Sequence, residues 1–557
     1  MYLRETKRKN GDGSVISYYQ LAENEWDKEK GCAVARVIYN FGRADQLDRE
    51  KLKRLAKSIL RLFDGEEALG AEPDVRVVDS WPYGGVYVLE QLWRELEIDR
   101  VVGKKGRHER ALFSMVANRA LRPYSKLYCR EQWLKEEVFL PEGQELSLHH
   151  LYRAMDFLLV HQAKVEEAVF FKMADLMNAD VDLLFYDTTN LHFEIDEEDA
   201  GKAKGPDGEL RGPLRKRGRA KNGRNDAPLV CVGLAVTREG LPVRSWVFPG
   251  NTADVTTVAK VKADLKGWKL GRCIFVGDAG MNSQENRQQL SLGNGKYILA
   301  SKIRAGDEVT TEVLTRAGRY QTIVDNLRVK EVWVGDGERR QRYVLCHNPI
   351  EAARQRKHRA EVLALLEEEL RSLQEPKEKE HSKRVCALLT SDRFGRYLRQ
   401  TKGGLLRIDR GQVAREAKYD GKWVVTSNDD TLSAEDLALG YKQLMRVEEC
   451  WRSMKSGLKM RPVYHWMPHR IEAHVKLCVL GLLLERIAEI RAGDSWRNIL
   501  AKLDTIKVVE YLRGDARVRQ TTEVRPDVAA LLKQLGVANP PKLHTIEAAP
   551  PAPSAAA

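Results

Sequence analysis

A run of strand-forming residues that ends in a single acid constrains the fold of this chain more than any other feature. Residues 181–186 are rich in apolar and aromatic side chains, as expected of a central strand covered on both faces. Asp187 follows directly, and a carboxylate at the tip of a buried strand is unfavourable unless a cation or a hydrogen-bond donor receives it. The alternative is that Asp187 only caps a turn with Thr188 and Thr189.

The segments after Asp187 alternate in an order that predicts one mixed sheet. Three strands close enough in sequence to pair as a meander, followed by helix-linked strands, give a mixed sheet with helices on its faces. The predicted fold class is therefore α/β, with the strand order of a ribonuclease H-like core. We expect strands at 181–187, 229–236, 242–248, 273–278 and 297–302, and helices at 254–265 and 283–292.

A second acid occupies the same kind of position as Asp187. Asp278 follows an apolar run at 274–276, and Gly277 between them permits the close approach of a neighbouring segment. Open α/β sheets place their ligand sites outside the carboxyl ends of their strands. If the two strands are parallel neighbours, both carboxylates lie at one edge of the sheet and can meet.

A third acid lies on a predicted helix at residues 434–458. Arg452, four residues beyond Glu448, shares the side of Glu448, whereas Glu449 points about a quarter-turn or more away. We therefore select Glu448. The alternative is a surface helix with ordinary Glu–Arg pairs. Positions seven residues apart share one face of a helix, and here they are Tyr441, Glu448 and Lys455.

A basic loop at residues 211–224 lies between the first two predicted strands and contains almost no counter-charge. Arginines and glycines let side chains and backbone approach a nucleic acid strand, so we assign the loop to phosphate contact. The alternative is a solvated loop. Asp254, after a turn at 249–252, is expected to cap the helix that follows it. The assigned cations are Arg215, Lys216, Arg217, Arg219, Lys221 and Arg224.

Further regions surround this core. Residues 306–430 contain short strand candidates and a long charged helix, which predicts an inserted β-rich domain. The N-terminal region suits either a reader of DNA ends or a general adaptor. The predicted regions are a small β/α domain at 1–70, a helical domain at 71–180, the catalytic core at 181–305 and 431–500, the insertion at 306–430, and a C-terminal region at 501–557 with a disordered Pro/Ala tail from Pro540.

Composition narrows the function classes. The chain carries 93 Lys and Arg against 80 Asp and Glu, and this formal net charge of +13 favours a polyanionic partner. Its eight cysteines include no CxxC pair, which favours reduced thiols in a cytoplasmic protein over a zinc or redox motif. The N-terminus lacks the apolar stretch of a secretory signal. The longest apolar stretch, at 475–484, is about half of what a membrane span needs, so no membrane role is expected.

The three acids together predict metal-dependent chemistry at phosphorus. Two aspartates and a glutamate supply hard oxygen ligands suited to two Mg²⁺ or Mn²⁺ ions. Such ions, about 3.5–4 Å apart, activate the attacking oxygen and stabilise the leaving one during in-line displacement. Arg452 and Lys455 lie on the Glu448 side of the helix, where cations offset developing charge.

On these motifs the chain resembles the DDE transposases of bacterial insertion sequences, in the group whose last acid sits in a Tyr-x2-Arg-x3-Glu-x6-Lys signature. The signature residues Tyr441, Glu448 and Lys455 match, and Leu444 stands where the group has Arg. The resemblance covers roughly residues 80–490. Three further motifs match in order, and they are Tyr186-Asp187-Thr188-Thr189, Gly250-Asn251-Thr252-x-Asp254 and Gly277-Asp278-x-Gly280-Met281.

The resemblance implies Mg²⁺-dependent hydrolysis at the ends of a mobile element, which gives 3′-hydroxyls that attack target DNA. It also implies a homodimer on DNA, with the terminal inverted repeats and the target as partners, in the cytoplasm with the nucleoid. A plain nuclease or a catalytically idle DNA-binding protein of the same descent is the alternative. Trp451 either stacks on an unpaired base or belongs to the core. The implied metal ligands are Asp187, Asp278 and Glu448, and the implied DNA contacts on the helix are Tyr441, Arg452 and Lys455.

Overall fold

The computed structural model describes residues 1–11, 15–28, 30–63, 75–103, 106–177, 181–221, 223–224, 226–268, 273–304, 309–337, 340–373 and 378–548. The chain divides into two compact units. The first comprises residues 1–79, 509–520 and 543–557, and the second comprises residues 80–508 and 521–542. The six regions expected from the sequence stay a prediction.

The first unit begins with a small antiparallel sheet and a helix. Strands Tyr2–Lys9, Val15–Asp27 and Cys32–Arg43 pair in sequence order, and helix Arg49–Phe63 follows them. A second sheet, most of whose residues belong to this unit, has the order Leu543–Ala548, Ala516–Thr521, Lys507–Arg513, Val75–Pro82. The expected disorder from Pro540 is wrong for residues 543–548, because they pair with the strand at 516–521. Residues 549–557 lie outside the described part of the chain.

The second unit is built on a nine-stranded sheet. The strands are β1 (Leu183–His192), β2 (Leu229–Val236), β3 (Pro242–Pro249), β4 (Ile274–Gly277), β5 (Lys296–Ser301), β6 (Gln321–Val324), β7 (Leu327–Val334), β8 (Gln341–His347) and β9 (Lys422–Ser427). The order across the sheet is β6-β7-β8-β9-β5-β4-β1-β2-β3. β4 is parallel to both of its neighbours, β1 and β5, and every other pair of adjacent strands is antiparallel.

Five of these strands have the ribonuclease H-like arrangement that the sequence predicts. β1, β2 and β3 form an antiparallel meander, and β4 and β5 continue the sheet on the other side of β1. Every residue of β2 is buried, as an all-apolar strand covered on both faces should be. Helices α1 (Asp254–Leu265) and α2 (Gln284–Ser291) link β3 to β4 and β4 to β5. The α/β fold class is confirmed.

Four strands of the predicted insertion, β6 to β9, extend this sheet, and two further described strands form a separate hairpin. β6, β7 and β8 join the sheet through β9, which pairs with β5. The long helix α3 (Pro349–Ser372) packs on helix Glu378–Thr390 and on the small hairpin formed by Leu398–Gln400 and Leu406–Ile408. Leu363, Leu366 and Leu370 of α3 are therefore used in packing within the chain, whereas Leu365 is exposed.

The helices that precede the sheet share its hydrophobic core. One cluster of buried apolar side chains includes residues from both, because helix Pro468–Ala492 is buried along most of its length and packs on helices Arg107–Leu121 and Leu148–Val160 as well as on β3. None of the helices in the described part of the chain has the length and apolar character of a membrane span. Further helices are Gly84–Glu95, Ile98–Val101, Lys126–Tyr128, Pro141–Gln144, Gln162–Leu176, Arg410–Ala417, Trp496–Leu503 and Pro526–Gln534.

Candidate active site

The strand that carries Asp187 is longer than the sequence predicts. β1 does not stop at Asp187 but continues to His192, because its second half pairs with β2. Asp187 therefore lies in the middle of the strand, opposite Leu234. β4 covers only the first part of β1, so the edge of β1 that faces β4 becomes open near Asp187.

The register of β4 on β1 brings the two predicted aspartates together. Val276 lies beside Phe185, and the same register carried two residues further places Asp278 beside Asp187. Asp278 directly follows the end of β4. Because neighbouring strands are about 4.8 Å apart, the two aspartates lie close together there. Burial raises the pKa of both carboxyl groups above the ordinary value, and the charge of Asp187 raises the pKa of Asp278 further.

Asp254 is a further carboxylate at this place. The N-cap of α1 is Ala253, so the expectation that Asp254 caps this helix is wrong. Oδ1 of Asp254 instead accepts a hydrogen bond from the Thr188 hydroxyl at 2.5 Å. A methyl group on Gly280 would lie 3.2 Å from Oδ1 of Asp278 and 3.6 Å from Oδ2 of Asp254, so these two carboxylates flank one glycine. We define the acidic pocket as Asp187, Asp254 and Asp278.

Lys221, which the sequence assigns to DNA contact, reaches into the acidic pocket. Its Nζ lies 3.4 Å from Oδ1 of Asp187 and 3.5 Å from Oδ2 of Asp254. The ammonium group also donates to the carbonyl oxygen of Thr188 at 2.6 Å and to its hydroxyl at 2.9 Å. Burial lowers the pKa of Lys221, but the charges of the three aspartates outweigh this and the pKa is raised. The ammonium group therefore stays charged and offsets part of the negative charge of the pocket.

The segment that carries Glu448 is helical but interrupted. In place of one helix at 434–458 there are α4 (Ala434–Lys442), α5 (Met445–Arg452) and a wide turn at Ser453–Gly457. Hydrogen bonds from residue i+3 back to residue i tighten the backbone between α4 and α5. Leu444, which stands where the resembled group has Arg, is buried at this junction.

Tyr441 links Glu448 to the acidic pocket. Burial raises the pKa of the Tyr441 hydroxyl, and the charges of all three predicted acids raise it further. α5 packs against β1, and Glu448 is exposed on it. Glu449 instead forms an ion pair with Arg446, at 2.9 Å between Oε2 and Nη1. These surroundings favour Glu448 over Glu449 as the third acid.

The remaining predicted residues of this segment separate into two groups. Lys455 donates a hydrogen bond to Oγ1 of Thr189, two residues beyond Asp187, and burial and the charge of Arg461 lower its pKa. Arg452 is exposed at the end of α5. Trp451 is only 5% exposed and belongs to the hydrophobic core, which supports the core alternative over base stacking.

The basic loop has more counter-charge than the sequence suggests. Acids at 194–199, directly after β1, pair with cations of the loop. This segment is too far from the loop in the chain for a local sequence pattern to reveal the pairing. Arg215 is buried, donates to Oδ1 of Asp199 at 2.7 Å and lies over the ring of Trp466. Arg219 is exposed and has no ion pair with a described residue. The other pairs are Lys216 with Glu198, Arg217 with the carbonyl of Asp196, and Arg224 with Glu194 and Asp226.

The acidic pocket has the chemistry of a divalent cation site. Within the described residues, no three side chains of His, Cys, Asp and Glu are drawn together closely enough to hold a metal ion. The carboxylates are nevertheless the hard oxygen ligands that Mg²⁺ and Mn²⁺ prefer. The ammonium group of Lys221 between two of them shows that the pocket accepts a cation. The donor set therefore fits a divalent ion, with Lys221 as its stand-in.

Two family models match the chain. The transposase DDE domain matches residues 209–484, which include Asp278 and Glu448 and begin after Asp187. The N-terminal domain of the IS1634 family transposases matches residues 3–72, and together the two models span more than half of the chain. The chain belongs to the DDE transposases of bacterial insertion sequences. Its N-terminal region is similar to that of the IS1634 family.

Other comparisons add little to the family models. No curated protein sequence matches the chain. Among solved structures, the chain is similar to a piggyBac transposase synaptic complex with hairpin DNA, determined by cryo-EM. The sequence identity is 9% and the TM-score is 0.34, over 76% of this chain and 78% of that chain. A likeness of this strength supports no argument about the site.

Proposed function

We propose that this transposase cuts the ends of its insertion sequence by metal-dependent phosphodiester hydrolysis and joins the resulting 3′-hydroxyl ends to target DNA. The observation that carries the proposal is the register of β4 on β1, in which Val276 pairs with Phe185, so that Asp278 and Asp187 follow two residues later on adjacent parallel segments. The approach of α5 to β1 supports the choice of Glu448 as the third acid. Asp187, Asp278 and Glu448 are the proposed catalytic residues.

A divalent metal ion is part of this proposal. The proposed ligands are the same three acids, for two Mg²⁺ or Mn²⁺ ions. When bound, such ions activate the attacking oxygen and stabilise the leaving oxygen at phosphorus. The burial that raises the pKa of both aspartates also favours binding of a cation, because a buried negative charge is stabilised by a nearby positive one.

The chain's own cations and hydroxyl groups are proposed to hold the DNA. Lys455 and Tyr441 lie beside the acidic pocket, where they can contact the phosphate that is attacked. Arg452 and Arg219 are exposed and suit the neighbouring DNA backbone. We place the chain in the group with the Tyr-Arg-Glu-Lys signature, although the buried Leu444 cannot make the contact of the Arg that it replaces.

The test uses purified protein, Mg²⁺ or Mn²⁺, and DNA that carries the terminal inverted repeats read from the DNA flanking the gene. We expect new 3′-hydroxyl ends on a denaturing gel and joined products from pre-cut ends. D187N and D278N should each lower the cleavage rate by about a thousandfold, because the groups removed contribute several kcal/mol at the transition state. A band shift should show that both variants still bind the ends.

The outcomes of this test separate the alternatives. Cut ends that are never joined indicate a plain nuclease. A band shift without any cut product indicates a catalytically idle DNA-binding protein. We also propose that a homodimer bridges two ends, and the expected result is a complex with two protein chains and two end fragments in analytical ultracentrifugation. One chain on one end would reject that part of the proposal.

A further inference from the structure

Lys221 is surrounded by oxygen atoms in the way that a bound metal ion would be. Its Nζ has two carboxylate oxygens at 3.4 and 3.5 Å, from Asp187 and Asp254. The carbonyl and hydroxyl oxygens of Thr188 lie at 2.6 and 2.9 Å. Four oxygens of this kind, two of them anionic, are also what a hard divalent cation selects.

The other cations of the basic loop are directed elsewhere. Lys216 pairs with Glu198 at 3.2 Å, and Arg215 pairs with Asp199. Within the described part of this loop, Lys221 is the cation whose ion pairs are with the acidic pocket. These cations of the loop therefore hold acids of the segment at 194–199, whereas Lys221 enters the proposed catalytic centre.

We propose that Lys221 is the resident counter-ion of the acidic pocket and that a divalent metal ion binds there by displacing its ammonium group. The inference rests on the proposed function, because it takes Asp187, which Lys221 contacts, as a metal ligand. The physical reason is that an ammonium group and a divalent ion use the same oxygens and repel each other at this distance. Lys221 is thus a positioning residue, which holds Asp187 and Asp254 near each other until the metal ion replaces it.

The first experiment measures Mn²⁺ binding to the full-length protein without DNA, from the electron paramagnetic resonance signal of free Mn²⁺. K221M removes the competing charge and keeps the length of the side chain. We expect it to bind Mn²⁺ roughly tenfold or more tightly than the wild type, because the substitution removes one positive charge that repels the metal ion at short range. K216M, which removes a lysine of the same loop outside the pocket, should leave the Mn²⁺ affinity unchanged.

A second measurement needs no variant and holds even if K221M fails to fold. Limited acetylation of the wild-type protein, read by mass spectrometry, reports how accessible each lysine amine is. Mg²⁺ should raise the labelling rate of Lys221 several-fold, because its ammonium group leaves the pocket, and should leave Lys216 unchanged. A Lys221 labelling rate that stays the same or falls with Mg²⁺ overturns the inference.

The results separate this inference from the proposed function. DNA cleavage by the wild type together with equal or weaker Mn²⁺ binding by K221M rejects the role of Lys221 and leaves the function intact. Tighter Mn²⁺ binding by K221M without any cleavage of the cognate ends supports the displacement and rejects the function. If neither wild type nor K221M binds Mn²⁺ and the wild type does not cleave the cognate ends, both are rejected.

Discussion

Glu448 and Glu449 are neighbours in the chain but lie in different surroundings. Glu448 is exposed, and its charge raises the pKa of Tyr441, as do the charges of Asp187 and Asp278 in the acidic pocket. Glu449 is held by Arg446 at 2.9 Å. Replacing each carboxylate in turn with an amide of the same shape tests which of the two glutamates is the third catalytic acid.

We expect E448Q to lose DNA cleavage by about a hundredfold or more, because an amide cannot supply the charge that a divalent ion requires. E449Q should keep cleavage within a few-fold of the wild type, since it breaks only an exposed ion pair. Cleavage of the cognate end DNA, measured at saturating Mg²⁺, decides between them. Equal losses in both variants would contradict the assignment of Glu448.

Arg215 and Arg219 give a second matched pair at the scale of single residues. The side chains of Arg215 and Asp199 are 11% and 9% exposed, so R215A leaves a buried carboxylate that keeps two backbone N–H donors but loses its cationic partner. We expect a loss of about 3–5 kcal/mol in unfolding free energy for R215A, as for other broken buried ion pairs. R219A should leave stability unchanged and weaken DNA binding. Urea unfolding and a band shift at two salt concentrations measure the two effects, and unchanged stability of R215A would contradict the burial argument.

Single residues also mark the limit of what the sequence can predict. Asp187, Asp278 and Glu448 follow from their places after apolar runs and on a helix face. Asp254 and Lys221 do not, because their neighbours in space are set by how α1 and the basic loop fold over β1. The match of Gly250-Asn251-Thr252-x-Asp254 to the family is the one signal in the sequence that points to Asp254.

At the scale of elements, the sequence predicts the core strands to within a few residues, and the reason is local. β2 is an all-apolar run bounded by loops, so its own residues are enough to predict where it begins and ends. The end of β1 depends on pairing with β2, and this is why Asp187 lies within a strand and not at its tip. The pairing of β9 with β8 on one side and with β5 on the other is likewise a long-range contact that no local pattern predicts.

The position of Tyr441 depends on how α4 begins. Ser433 accepts a hydrogen bond from the backbone N–H of Asp436, and the Asp436 carboxylate accepts one from the backbone N–H of Ser433. We expect S433A to lower the unfolding free energy by about 1 kcal/mol, the usual effect of losing such a cap. Urea unfolding gives the change. S495A, which removes the cap of helix Trp496–Leu503, is a control for a similar loss of stability away from the site, so only S433A should also slow DNA cleavage.

At the scale of the whole molecule, the two ends of the chain contribute to one compact unit. Residues 509–520 and 543–557 group with residues 1–79. Nothing in the sequence predicts this, because a strand shows its own pattern but not which distant strand it will pair with. The shared core of the helical region and the sheet could not be predicted for the same reason, since the sequence of helix Pro468–Ala492 does not show which elements bury it.

One buried contact of this shared core should make the stability of the protein depend on pH. Nζ of Lys126 lies 2.7 Å from Nδ1 of His474, far from it in the chain. Burial, with the charge of Arg119, lowers the pKa of Lys126 to about 7. Between that value and the ordinary lysine pKa of about 10.4, the unfolded chain binds a proton that the folded chain does not. Stability should therefore rise with pH from about 7 upward, and below pH 7 the charged lysine destabilises the fold.

We expect K126M to be more stable than the wild type at pH 6, by a few kcal/mol, because it removes the cost of burying a charge. The advantage should shrink steadily between pH 7 and pH 9, as the wild-type lysine loses the proton that makes its burial unfavourable. K135M, which changes a lysine in an exposed ion pair with Glu131, should show no such pH dependence. Urea unfolding of the three proteins at pH 6, 7.5 and 9 measures this. A difference in stability between the wild type and K126M that stays constant from pH 6 to pH 9 would contradict this, because it would mean that Lys126 keeps its proton in the folded core.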